Sequence, residues 1–318
     1  MGVLFGVWGS GRHLANVLGP RHLRSSPGRV QPGRRWCGPA GGCPTHGRWP
    51  DQEPGAGPDV TAVAVHHLVQ GPADAPTVVL AGSLGATLAM WDPQAPVLAT
   101  QMRVVRYDAR GHGGSPVPAG PYQVDDLVDD LVALLDTVGA DRAHVVGLSL
   151  GGMVAMRFAA REPARVDRLA LLCTAAVLAP RQAWAERAAL VRAEGTGAIA
   201  RAVVGRWLTE EHQLAHPEDV ERLVAMVAAT PAEGYASSCT AIERMDLRAD
   251  LPRITAPTLV VAGAEDPSMP RSFQEAIAAA VPGARLQILD HAAHLASFEQ
   301  PAAINSLLLE HLTGNPGP

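Results

Sequence analysis

The segment Gly147-Leu148-Ser149-Leu150-Gly151 constrains this chain more than any other. His144-Val145-Val146 before it reads as the end of a short apolar strand, and Gly152 to Ala160 after it reads as a helix. A serine between two such elements sits on a sharp turn, and the flanking glycines leave room for it. The turn lifts the hydroxyl above the sheet beside the helix N-terminus. The backbone N–H of Leu150 then faces any oxyanion formed there. That is the geometry of an activated nucleophile; the bland alternative is an ordinary tight glycine turn.

The rest of the chain supplies a sheet for such a turn. With 318 residues and 47% hydrophobic composition it can bury one large core. From residue 60 onward strands and helices alternate. Short apolar runs predict strands at Val63–Val69, Thr77–Ala81, Arg103–Tyr107, Val166–Cys173, Thr258–Ala262 and Leu286–Leu289. Amphipathic spacing predicts helices over about 122–138, 271–281 and 301–312. Asp125, Asp126, Asp129 and Asp130 fall opposite the apolar stripe of the first of these and read as its solvated face. Continuously apolar strands between amphipathic helices mean an α/β fold, a mostly parallel twisted sheet covered on both faces. Residues 180–250 break the alternation with helical, Ala- and Arg-rich sequence. This insert reads as a lid over the carboxyl ends of the strands, where such sheets bind ligands.

Charge and cysteine content exclude several chemistries. All 26 basic residues are Arg, so Schiff-base lysine chemistry and a P-loop are ruled out. The net charge of −5 argues against nucleic acid as a partner. The four cysteines form no C-x-x-C pair, and Cys37, Cys43 and His46 lack the spacing of a zinc site. No metal and no cofactor are expected, and the cysteines read as free thiols in a reducing compartment. No run of 18 apolar residues occurs, so no membrane span is expected and the reading is cytoplasmic. Residues 1–59 stand apart, rich in Gly, Pro and Arg with a net charge of +4, against −9 for the remainder. They read as a disordered or mis-started N-terminal tail ahead of a domain over 60–313, with 314–318 as a C-terminal tail.

A serine nucleophile needs an imidazole to take its proton and a carboxylate to orient that imidazole. In the chain order Ser, acid, His, each partner follows a later strand. Glu265-Asp266-Pro267 comes after the strand at 258–262, and Asp290-His291-Ala292-Ala293-His294 after the strand at 286–289. Asp266 sits at the turn, and His294 lies deeper in its loop and leads into the closing helix. Ser149, Asp266 and His294 are therefore the expected triad, with Glu265 and His291 as competitors. Asp246 is a third acid, read as tying the lid to the core. Ala81-Gly82-Ser83-Leu84-Gly85 supplies a small loop at the edge of the elbow, and the N–H of Ser83 is the expected oxyanion partner to that of Leu150. Asp108-Ala109-Arg110-Gly111-His112 looks chemical but reads as a structural loop.

These residues also resemble a known family. The chain from about 60 to 313 is similar to the α/β-hydrolase fold family, and within it to the 3-oxoadipate enol-lactonases of aromatic (β-ketoadipate) catabolism. The resemblance rests on Ser83-Leu84-Gly85 followed by Met90-Trp91-Asp92-Pro93-Gln94, on the Asp108–Ser115 loop and the elbow, and on Thr230–Tyr235, Met245–Arg248, Asp266-Pro267 and His294. The family usually carries Asn where this chain has Gly82. The resemblance implies a cofactor-independent serine hydrolase with the triad Ser149, Asp266 and His294 and the oxyanion donors Ser83 and Leu150. Rivals on the same triad are other esterases, carbon–carbon bond hydrolases and perhydrolases; a rival of another class is a non-catalytic binding protein. The expected partner is a small lactone or ester bearing a carboxylate. Since no Lys exists, an Arg must hold that carboxylate. Arg187 shares a helix stripe with Trp184, Ala188 and Val191 and has no acid three or four residues away, so Trp184 and Arg187 are the expected substrate contacts.

Overall fold

The computed structural model describes residues 62–314, so the readings made for segment 1–59 and for the tail beyond Gly314 lie outside the described residues. Among the described residues seven strands form one sheet in the order β1-β3-β2-β4-β5-β6-β7. They are β1 (His67–Gln70), β2 (Thr77–Ala81), β3 (Arg103–Tyr107), β4 (Ala143–Leu148), β5 (Val166–Leu172), β6 (Thr258–Gly263) and β7 (Arg285–Leu289). Only β1 runs antiparallel, against β3. β2, β4 and β6 are buried at every residue because helices cover both faces of the sheet.

The helices are α1 (Ala95–Leu98), α2 (Val124–Thr137), α3 (Leu150–Arg161), α4 (Arg181–Glu194), α5 (Gly197–Val204), α6 (Glu210–Ala215), α7 (Pro217–Ala228), α8 (Ala232–Arg244), α9 (Ser272–Ala280), α10 (Ala296–Glu299) and α11 (Pro301–Thr313). Helices α4 to α8 all fall between β5 and β6, the place of the expected lid. Among the described residues no helix is long and apolar enough to cross a membrane.

The structure corrects three expectations. The first strand begins at His67, not Val63. The backbone N–H of Val63 donates instead to Asp130 Oδ1 at 2.7 Å, and that of His66 to Ser115 Oγ at 2.8 Å, so neither donor enters a ladder. The polar face of α2 is not uniformly solvated, since Asp126 and Asp130 are both buried. Asp130 receives Arg110 Nε at 2.6 Å and Nη2 at 2.7 Å, and Asp126 closes a capping box with Gln123. Arg110 is itself fully buried, so this pair is a structural pin, and removing one partner would strand a charge at a cost of about 3–5 kcal/mol. Asp246 does not tie the lid to the core. It pairs with Arg248 two residues on, and its partner holds its carboxyl down at about 2.

Candidate active site

Ser149 links β4 to α3 at φ 56° and ψ −116°, a backbone conformation that L residues rarely adopt. Three bonds hold it there. Its N–H donates to Leu172 O at 3.0 Å, and its carbonyl accepts from Met153 N at 3.0 Å and Thr174 Oγ1 at 2.7 Å. The flanking glycines are required by space. A Cβ on Gly147 would lie 2.2 Å from Gly151 O, and one on Gly151 would lie 2.1 Å from Ala81 O. The strained turn is thus over-determined by its surroundings.

Asp266 and His294 meet beside this elbow. His294 Nδ1 lies 2.8 Å from Asp266 Oδ2, and both residues are buried. The other carboxylate oxygen accepts from Ser268 N at 2.8 Å and Met269 N at 2.9 Å, which fixes the rotamer of Asp266. The competitors face elsewhere. His291 is 79% exposed at its side chain and lies 3.7 Å from Glu265, itself 53% exposed. His112 is buried away from solvent as a loop anchor. Its Nε2 accepts from Gly85 N at 2.9 Å, so the proton sits on Nδ1 and donates to Arg110 O at 3.1 Å. Burial pushes its pKa down and keeps it neutral.

The oxyanion loop departs from expectation by one residue. The N–H of Ser83 donates to Met90 Sδ at 3.2 Å and is therefore engaged. Gly85 N is held by His112, whereas Leu84 N has no partner among the described residues. Leu150 is the first residue of α3, where the N–H has no intrahelical acceptor. Leu84, which lines the same cavity as Ser149, and Leu150, its chain neighbour, thus both carry unengaged N–H groups among the described residues. Sequence reasoning missed Leu84 because the acceptor that occupies Ser83 is a thioether seven residues away, and no turn rule pairs them. A Cβ on Gly82 would come within 2.9 Å of the same Met90 Sδ, so a side chain there would require the thioether to shift.

Ser83, Leu84, Ser149 and His294 share a cavity of about 150 Å³ with Trp184, Arg187, Arg206 and Tyr235 from the lid. Among the described residues its lining contains two guanidinium groups and no carboxylate. Arg187 stacks over Trp184 with 4.8 Å to the ring centroid, and neither Arg187 nor Arg206 has an acid within ion-pair distance among the described residues. Burial and the nearby charge of Arg187 both push the pKa of Arg206 down. Burial raises the Tyr235 phenol to about 12, against the pull of both arginines. By contrast, Arg192 is committed to Glu233 at 2.9 Å. The structure thus gathers Ser149, His294, Trp184 and Arg187 around one space, with Asp266 behind His294, Leu150 next to Ser149 in the chain, and Ser83 lining the space but with its N–H turned to Met90.

Known proteins resemble this chain in sequence and fold. A family model described as the alpha/beta hydrolase fold matches residues 76–301. The chain is similar to 3-oxoadipate enol-lactonase 2 of Acinetobacter baylyi, 38% identical over 243 residues that cover 76% of this chain and 91% of the relative. It is also similar to a RutD protein of Stutzerimonas stutzeri, named as a carbamate hydrolase, at 32% identity over 75% of this chain and 92% of that one. Among solved structures, the enol-lactonase of Burkholderia xenovorans LB400 superimposes with a TM-score of 0.77 at 38% identity, covering 78% of this chain and 96% of that one.

Proposed function

The chain belongs to the alpha/beta hydrolase fold family, and from that premise we propose that it is a serine hydrolase of lactones that carry a carboxylate, with 3-oxoadipate enol-lactone as substrate. The observation that carries the reading is the charge of the cavity. An elbow serine and a histidine face two unpaired arginines across about 150 Å³, which suits a small anionic ester.

The chemistry follows from the positions. His294 donates Nδ1–H to Asp266, which leaves Nε2 free to take the Ser149 proton. Ser149 Oγ attacks the lactone carbonyl, and the N–H groups of Leu84 and Leu150 hold the tetrahedral oxyanion. Collapse breaks the ring C–O bond and expels an enolate oxygen, which the imidazolium protonates. The enol becomes a ketone, so the ring does not close again. Water, deprotonated by His294, then attacks the acyl-enzyme and releases the acid. Arg187, braced on Trp184, holds the side-chain carboxylate throughout, and Arg206 adds a second positive charge.

The relatives named as carbamate hydrolases give a second reading for the same triad. Turnover should be compared on the enol-lactone, a neutral aryl ester and a carbamate, with wild-type protein and Ser149→Ala. A preference for the lactone that disappears in Ser149→Ala supports the first reading. A preference for the carbamate supports the second. Undiminished turnover by the alanine variant would overturn both.

A further inference from the structure

We infer that Glu299 is a positioning residue that couples the lid to His294, so that the seating of the imidazole depends on where the lid stands. The inference rests on the hydrolase reading above. Glu299 is the last residue of α10, and its carboxylate spans two parts of the molecule. One oxygen, Oε1, accepts from the backbone N–H of Thr209 at 2.7 Å and from Thr209 Oγ1 at 2.9 Å. The other, Oε2, accepts from the backbone N–H of Ala293 at 2.6 Å. Thr209 lies in the lid, two residues after the cavity-lining Trp207 and at the N-cap of α6. Ala293 immediately precedes His294.

A second link lies on the other side of the histidine. Leu295 N donates to Trp207 O at 2.8 Å. Both chain neighbours of His294 are thus tied to lid residues 207–209. No cation pairs with Glu299 among the described residues, so its charge is answered only by N–H and O–H donors. A carboxylate is acceptor-only and can serve donors at both ends at once; an amide cannot. That chemistry suits a two-way clamp and not a surface ion pair. Arg206 and Trp207 sit in the same lid stretch, so a substrate carboxylate drawn to Arg206 pulls on the segment that holds the histidine loop. Binding energy from a part of the substrate remote from the scissile bond would then be expressed at the reacting centre.

The test uses the full chain with Glu299→Gln, Thr209→Val, Thr209→Ser and the double variant Glu299→Gln/Thr209→Val, assayed well below the melting temperature. In Glu299→Gln one end of the side chain becomes an NH₂ that opposes a backbone or hydroxyl donor. A misplaced imidazole should lower kcat on the carboxylate-bearing lactone on the order of 10- to 100-fold, with little change in KM. Thr209→Val should lower kcat in the same direction, and Thr209→Ser should restore it. The double variant should be no worse than Glu299→Gln alone, because one link cannot be broken twice. Amide exchange at Leu295 should accelerate in both Glu299→Gln and Thr209→Val. A lowered melting temperature with wild-type kcat, additive losses in the double variant, or faster exchange in only one of the two would overturn the coupling. If wild-type protein hydrolyses no substrate, the hydrolase reading falls, and amide exchange alone decides the Glu299 link.

Discussion

Asp266 and His294 form a closed pair, with Oδ2 and Nδ1 2.8 Å apart and side-chain exposures of 0% and 4%. The two competing acids are solvated, Glu265 at 53% and Asp246 at 35%. Asp266→Asn keeps the shape but presents either a donor or a neutral acceptor to Nδ1. It should lower kcat on the order of 10³- to 10⁴-fold. Glu265→Gln and Asp246→Asn should stay within about twofold of wild type, since surface changes seldom reach a buried site. Steady-state rates of the three variants on one ester check this, and equal losses would remove Asp266 from its role.

The elbow makes a separate prediction about stability. Ser149 holds φ at 56°, a conformation that costs a non-glycine residue on the order of 1–3 kcal/mol. Ser149→Ala and Ser149→Gly should both lose turnover by roughly 10³-fold or more, because each removes the nucleophile. They should differ in melting temperature. Glycine relieves the strain and alanine does not, so Ser149→Gly should melt higher than Ser149→Ala by thermal denaturation.

The two unpaired arginines should act on charged substrates only. Arg187→Met and Arg206→Met should each raise KM for a carboxylate-bearing lactone roughly tenfold, the order expected for one lost charge-assisted bond. Both should leave a neutral aryl ester unaffected. Arg192→Met should do neither, since Arg192 is engaged by Glu233, whose carboxyl it holds down at about 2. Equal effects of Arg187→Met on charged and neutral esters would remove it from the carboxylate site.

What the sequence reveals follows from the range of each interaction. The strands at 77–81 and 103–107 and the helix at 301–313 are legible because local periodicity reports directly on burial. Ser149 and the two loops that carry Asp266 and His294 are legible because each follows a strand in a fixed chain order. That order does not choose between Asp266 and Glu265 or between His294 and His291, which the burial of the Asp266–His294 pair separates. The Asp130–Arg110 pin is not, because a helix pattern marks Asp130 as polar and cannot say that a buried arginine lies opposite. The same limit hides the bond from Ser83 N to Met90 Sδ, and with it the fact that Leu84 and not Ser83 carries the unengaged N–H. Glu299 ends a four-residue helix with no motif of its own, and its three donors come from Thr209 and Ala293, one of them 90 positions away.

The last prediction concerns acid stability. His112, His144 and His311 all have pKa values pushed down, chiefly by burial, and that of His311 falls to about 4. His311 Nε2 lies 2.9 Å from Leu169 O, at the junction of α11 with β5, and the charges of Arg168 and Arg285 oppose its protonation further. The unfolded chain binds a proton at this histidine near pH 6.5, and the folded chain does not until about pH 4. Between those values the unfolded state holds more protons, so stability falls as pH falls. At pH 5 the linkage from His311 alone amounts to about 2 kcal/mol. His311→Gln keeps a donor for Leu169 O and removes the titration. Its melting temperature should therefore fall less steeply from pH 7 to pH 5 than that of wild type. Parallel curves over that range would show that His311 is protonated as readily in the folded protein as in the unfolded chain.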